Sequence, residues 1–270
     1  MVSRFPVELV GHTHSAVVPA GVVAGVAVFD RQTGQFTEQL NPDLRFRSAS
    51  VVKLLIVLDF LWDGGPSYEL SATDRARLDV MLRSSDDDAA SYYWEECGGG
   101  QIVDRMVSRL GLTHTAPPPA THPGFWGYVA MTAADTVRIY RYLLEQAPVA
   151  VREYVMGNLH QATRHGTDGF DQYFGIASVF DPPFSIKQGW SGFVGSSGFG
   201  SDRAKPKVSE VDLTREALHT TGTVGTDDRS IVAVYTLHPD GTAYEQACAD
   251  LARLTRSLTV PGGIRAADCQ

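Results

Sequence analysis

The run "RFRSASVVKLLIVLDFLW", residues 45–62, decides how the rest of the chain is read. Between Val51 and Leu58 every residue except Lys53 is apolar, so a helix here has no polar face and belongs inside a core. If that helix begins near residue 50, Ser50 and Lys53 stand three positions apart on one face, within hydrogen-bond reach. An ammonium among such neighbours is costly. Desolvation lowers its pKa and leaves an amine able to take a proton from a serine hydroxyl. The same residues also fit a helix N-cap serine followed by a lysine that snorkels along apolar surface. What else the chain carries decides between the two.

Composition narrows the partners. The 270 residues are 43% hydrophobic, 20% charged and 10% aromatic, which is ordinary for a globular chain with a sizeable core. A net charge of -8 provides no basic face for nucleic acid or an anionic membrane surface, so a small-molecule or peptide substrate is expected. Cys97, Cys248 and Cys269 lie far apart with no Cys-x-x-Cys pair, which supports neither a metal site nor a disulfide framework, and at most one bridge. No cofactor motif is present, and none is expected. The N-terminal "MVSRFPVELVGHTHSAVVPAG" lacks a signal-type apolar run, and no segment reaches the roughly 18 apolar residues of a membrane span. The chain as given therefore reads as soluble, with location and oligomeric state left open.

Strand patterns lie towards both ends and helical patterns between them. Residues 21–40 read as a hairpin around "RQTG". Helices are expected at 50–62, at "TDRARLDVMLRSS" behind a Ser71/Thr73 cap, at "AASYYWEE" before Gly98-Gly99-Gly100, at "QIVDRMVSRLG" and at "TAADTVRIYRYLLEQ" behind Thr132. "FSIKQGW", "EALHTTGTVGT" and "SIVAVYTLH" read as strands, and "AYEQACADLARLTRSL" as a closing amphipathic helix. This predicts an α/β chain of the α+β type, with an antiparallel sheet built from both chain ends, flanking helices and an all-helical insertion. Residues 1–54 and 170–270 would form the sheet-containing lobe and 55–169 the helical lobe, with the active-site cleft between them. Two loops stand out: 113–128, stiffened by Pro117-Pro118-Pro119, and 198–212.

Two further segments bear on Ser50 and Lys53. "RSSDDDAASYYW" supplies Ser85-Asp86-Asp87, and "FSIKQGWSGF" supplies Lys187-Gln188-Gly189. Each has a plain structural reading, the first as an acidic helix cap and the second as a lysine guarding an edge strand. Together they follow the order Ser-x-x-Lys, Ser-Asp-Asn, Lys-Thr-Gly of serine acyl-enzymes. Only four lysines occur in the chain, and two occupy motif positions.

On these motifs the chain resembles the class A β-lactamase and penicillin-binding protein family over most of its length. The resemblance implies that Ser50 is the nucleophile, Lys53 its general base and Ser85 a proton relay to the leaving group. Lys187 would bind a substrate carboxylate, as in penicillins or D-Ala-D-Ala peptides. Asp87 takes the place of the family's asparagine, and Gln188, Gly189 and Trp190 continue the substrate-binding strand. The backbone N–H groups of Ser50 and Trp190 would form the oxyanion hole.

Departures from the family pattern matter equally. Class A enzymes release the acyl group with a loop glutamate, whereas residues 112–132 here hold no Asp or Glu, only His114 and His122 as ionisable candidates. Gln188 replaces a threonine and adds bulk; Asp87 adds a negative charge that would oppose a carboxylate. Trp190, Phe193, Phe125, Trp126 and Tyr128 could crowd the cleft or simply form core. Three functions follow: a serine hydrolase or acyltransferase with weak or absent β-lactam turnover, an active β-lactamase with another deacylating base, or a non-catalytic or penicillin-binding protein of the same fold.

Overall fold

The computed structural model describes residues 15–62, 69–193 and 211–267. Strands β1 (Val23–Asp30) and β2 (Gln35–Leu40) form the expected hairpin, and the Val and Phe of β1 suit a strand buried along nearly its whole length. The chain returns to this sheet only after residue 180. There β5 (Phe184–Ser191), β6 (Ala217–Val224) and β7 (Ser230–Leu237) add to it, giving an antiparallel sheet in the order β2-β1-β7-β6-β5. Full register from Val23↔Leu237 to Asp30↔Ser230 locks the N-terminal hairpin against the C-terminal strands. A second, two-stranded sheet pairs β3 (Phe46–Arg47) with β4 (Ala130–Met131); two residues are too few for a periodic signal in sequence.

Eight helices lie between or after these strands among the described residues, six of them where the patterns place them or close by. The apolar run of 51–58 is a buried helix, α1 (Lys53–Trp62), entered through a 3-10 turn at Ala49–Val52. Helices α2 (Ala72–Arg83) and α5 (Ala133–Glu145) start at Ser71 and Thr132, whose side chains accept from Asp74 N and Asp135 N, satisfying otherwise orphaned donors. α3 (Asp87–Glu96) and α4 (Gly100–Leu110) follow one another across the glycine run. α6 (Val149–His160) was not expected; its buried Val151, Val155, Met156 and Leu159 do recur at helical spacing, but the valine-rich start and Gly157 weaken the signal. The four-residue α7 (Ile176–Val179) was also missed, while α8 (Tyr244–Ser257) closes the chain as anticipated.

The sheet separates two cores. Ala27, Phe29, Ala233 and Tyr235 face α1 and α5, while Val26, Val28, Val232 and Val234 face Leu251 and Leu254 of α8. Alternation along β1 and β7 thus sends successive side chains to opposite cores, as a strand covered on both faces requires. Cys97 and Cys248 are free thiols. Cys269 and most of the 198–212 loop lie outside the described residues. No helix among those described is long and apolar enough to cross a membrane.

Candidate active site

The 3-10 turn before α1 places Ser50 against β5. A Cβ at Gly189 would stand 2.9 Å from Ser48 O and 3.1 Å from Val51 Cγ2, so only glycine lets the strand approach the turn this closely. Ala49, immediately before Ser50, holds φ at 44°, and Ser85 holds φ at 56°. L residues adopt this left-handed region only at a cost, and such outliers cluster at working sites.

Five predicted residues converge. Lys53, fully buried, donates from Nζ to Ser50 Oγ at 2.9 Å, to Ser85 O at 2.6 Å and to Asp87 Oδ1 at 2.7 Å, and lies 3.3 Å from Ser85 Oγ. Lys187, also buried, donates to Ser85 Oγ at 2.8 Å. A continuous polar chain therefore runs Ser50–Lys53–Ser85–Lys187 through a surround of apolar helix. The acidic run beside it divides its work: Asp86 caps α3 by accepting from Ala89 N at 2.7 Å, and Asp87 faces Lys53.

Electrostatics at the two lysines differ. Burial lowers the Lys53 pKa below its ordinary value, and the Asp87 carboxylate partly opposes that shift. Lys187 is pushed well below its ordinary value, first by burial and then by the neighbouring Lys53 charge. Among the described residues no carboxylate lies within ion-pair distance of Lys187. Two buried amines thus share one nearby carboxylate, an arrangement that favours leaving one of them neutral and able to accept a proton.

Strand alternation splits the run Lys187–Trp190. Lys187 and Gly189 face the serine, but the Gln188 side chain points to the α8 face, where Nε2 donates to Gln172 O and Phe174 O at 3.1 and 2.8 Å. The expected substrate contact from the Gln188 side chain is corrected accordingly. Trp190 also turns its ring to that face, giving its indole N–H to Asp168 Oδ2 at 2.8 Å, so neither it nor Phe193 crowds the serine.

Loop 113–128 packs over the lysine. Paired bonds between Ala116 and Ala130 close its neck, and the buried Asp135 fixes its start by accepting from Thr113 N, His114 N and Thr115 Oγ1. Ser48 N donates to Val129 O at 2.8 Å, tying the end of the loop to the turn that carries Ser50. The buried Trp126 ring lies 4.7 Å from Lys53 Nζ, held by its N–H to Ser91 Oγ. His114 instead contacts Asp43 and Thr113, and His122 packs against Phe125 and Tyr128. From sequence Trp126 reads only as a crowding or core aromatic; its position over Lys53 depends on a contact 73 residues away, with no local signal.

No family model matches the chain. Proteins of Mycobacterium tuberculosis and Mycobacterium bovis named "Putative lipoprotein LppW" are 35% identical over 231 residues, covering 83% of this chain and 66% of theirs, so the match spans just under two thirds of these relatives. Among solved structures, a class A β-lactamase from Mycobacterium abscessus superposes with a TM-score of 0.62 at 18% identity, over 88% of this chain and 92% of that one. PBP-A superposes at 0.63 with 12% identity, over 88% and 89%. A β-lactamase from Chitinophaga pinensis gives 0.64 at 14%, over 87% and 92%. At these identities the likeness establishes a shared fold.

Proposed function

We propose that this chain, which has the β-lactamase and penicillin-binding protein fold, is a serine hydrolase or acyltransferase that forms an acyl-enzyme at Ser50 and releases it slowly. The observation that carries this reading is the 2.9 Å bond between a fully buried Lys53 amine and the Ser50 hydroxyl. In the neutral form Lys53 takes the Ser50 proton as Oγ attacks an amide, lactam or ester carbonyl. The Ser50 and Trp190 backbone N–H groups hold the developing oxyanion. Ser85, in contact with both amines, then passes the proton from Lys53 to the departing nitrogen or oxygen as the bond to the carbonyl carbon breaks. Lys187 receives a substrate carboxylate, whose charge restores the ammonium that burial disfavours. A PBP-A variant captured as an acyl-enzyme complex with penicillin-G supports this chemistry on the same fold.

Slow release follows from the loop. It brings an indole, not a carboxylate, to Lys53, and the adjacent carboxylate, Asp135, is committed to loop backbone. We infer also that the domain works outside the cytoplasmic membrane, a placement supported by the lipoprotein designation of its relatives.

Incubation with a fluorescent penicillin and a chromogenic cephalosporin, read by intact mass, tests the reading. The expected result is an adduct that maps to Ser50 and is absent in Ser50→Ala, with little cephalosporin turnover. Rapid Ser50-dependent turnover would make the protein a β-lactamase with another deacylating base. Absence of an adduct with every β-lactam and ester probe would leave a non-catalytic protein.

A further inference from the structure

The three close neighbours of Lys53 Nζ are not equivalent. Ser85 O at 2.6 Å and the Asp87 carboxylate at 2.7 Å can only accept, whereas Ser50 Oγ at 2.9 Å can accept or donate. Ser85 Oγ lies further off, at 3.3 Å, and already accepts from Lys187. As an ammonium, Nζ has one hydrogen for each close neighbour. As a neutral amine it has two, which the carbonyl and the carboxylate claim, and its lone pair then faces the Ser50 hydroxyl. Proton abstraction needs that orientation.

Charges reach the amine from several elements. Asp86 and Asp87 stand at the start of α3, Asp168 on the loop before α7 and Lys187 on β5, while Trp126 lays its ring against the amine from the 113–128 loop. Asp86 is spent on the α3 cap, and Asp168 accepts from the Trp190 indole and from Phe170 N. Among the described residues Asp87 is the carboxylate that touches Lys53, and its side chain is 34% exposed while that of Lys53 is sealed. The ion pair therefore joins a buried amine to a carboxylate that solvent reaches. A carboxylate this close favours the ammonium, which cannot take the Ser50 proton; burial pulls the other way and the ion pair holds back part of that shift.

Resting on the acylation proposed at Ser50, we propose that Asp87 is a positioning residue for that step: its bond to Lys53 points the amine's lone pair at Ser50 Oγ, and its negative charge delays loss of the ammonium proton, so that acylation at neutral pH runs below the site's capacity. Asp87 takes no proton itself. The Ser50 proton passes to Lys53 Nζ as Oγ bonds to the carbonyl carbon.

Two substitutions separate aim from restraint. Asp87→Asn keeps an acceptor oxygen and removes the charge; Asp87→Ala removes both. Acylation at saturating fluorescent penicillin is followed across pH by stopped-flow. The ε-methylene carbon resonance of Lys53, one of four lysines and assigned by its loss in Lys53→Met, is titrated by NMR in the same proteins without drug. In Asp87→Asn both midpoints should move down by about 1 to 3 units, the usual effect of losing an adjacent opposite charge, and acylation at pH 7 should rise about tenfold or more. In Asp87→Ala the Lys53 midpoint should also fall, but the acylation plateau at high pH should drop about tenfold or more because the lone pair is no longer aimed. Thermal unfolding checks that both variants fold. Unmoved midpoints in Asp87→Asn, or an undiminished plateau in Asp87→Ala, would overturn the inference and leave acylation at Ser50 standing. Failure of every penicillin and ester probe to form an adduct in all three proteins would overturn the proposed function and this inference together.

Discussion

The two faces of β5 present opposite solutions to a buried charge. Towards the helices, Lys187 and Gly189 complete a continuous chain in which each side-chain polar atom of Ser50, Lys53 and Ser85 has a partner. Towards α8, Gln188 gives its amide N–H groups to two carbonyls yet leaves Oε1 buried without a donor, and Glu216, just before β6, leaves Oε2 in the same state. One face is internally satisfied around amines; the other spends its donors on Asp168 and on backbone carbonyls and leaves two acceptor oxygens without a donor. Residues adjacent in sequence thus belong to different chemistry, because the pleat turns each successive side chain to the other side.

Substitutions on the serine face should strike acylation. Lys53→Met should slow adduct formation about 10²- to 10⁴-fold, the usual contribution of a positioned base, measured by stopped-flow with a fluorescent penicillin. In the unmodified protein the same rate should climb with pH as Lys53 loses its proton, with a midpoint below the ordinary lysine value of 10.5. A midpoint at or above that value would remove Lys53 from the role of base.

Lys187→Met separates reactivity from stability on the same face. Loss of the charged contact should slow acylation by a carboxylate-bearing β-lactam about 10- to 100-fold. Stability should hold or rise, because a buried amine with no carboxylate within ion-pair distance is replaced by an apolar chain. Since the folded-state pKa of Lys187 is depressed, the folded protein binds fewer protons there than the unfolded chain. Its contribution therefore improves as pH rises towards 10.5 and worsens as acid recharges the amine. Lys187→Met should flatten that dependence in thermal melts across pH.

Gly189→Ala should cost about 1–3 kcal/mol, since the added Cβ meets the backbone oxygen of Ser48 and the strand or the nucleophile turn must shift. Denaturant unfolding measures the loss. The smallest effect on chemistry belongs to the other face: Gln188→Leu should keep acylation within about twofold while lowering stability by about 1 kcal/mol. A large acylation defect there would show that the two faces are coupled.

Much of this was legible in the sequence because it is local. The apolar run around Lys53, the hairpin at 21–40 and the Ser71 and Thr132 caps are each set within a few residues. Ser50 and Lys53 meet because 3-10 and α-helical spacing brings them together, and Ser85 and Lys187 were located by motif. What escaped depends on distant packing. Trp126 reaches Lys53 across 73 residues, Asp135 is drawn into holding the 113–115 backbone, and Asp168 adds to the field at both lysines from a loop whose placement no local pattern records. Gln188 was misplaced for a different reason. A contiguous motif reads as one surface, although period-2 alternation along "FSIKQGWS" assigns Gln188 to the face opposite Lys187.

The lifetime of the adduct tests the central claim most directly. The protein is acylated with penicillin, free drug is removed, and intact mass is followed over time. The account predicts an adduct on Ser50 that persists for hours, because Trp126 covers Lys53 and residues 112–132 supply no carboxylate to activate water. Loss of the adduct within seconds, with hydrolysed penicillin appearing at the same rate, would contradict it.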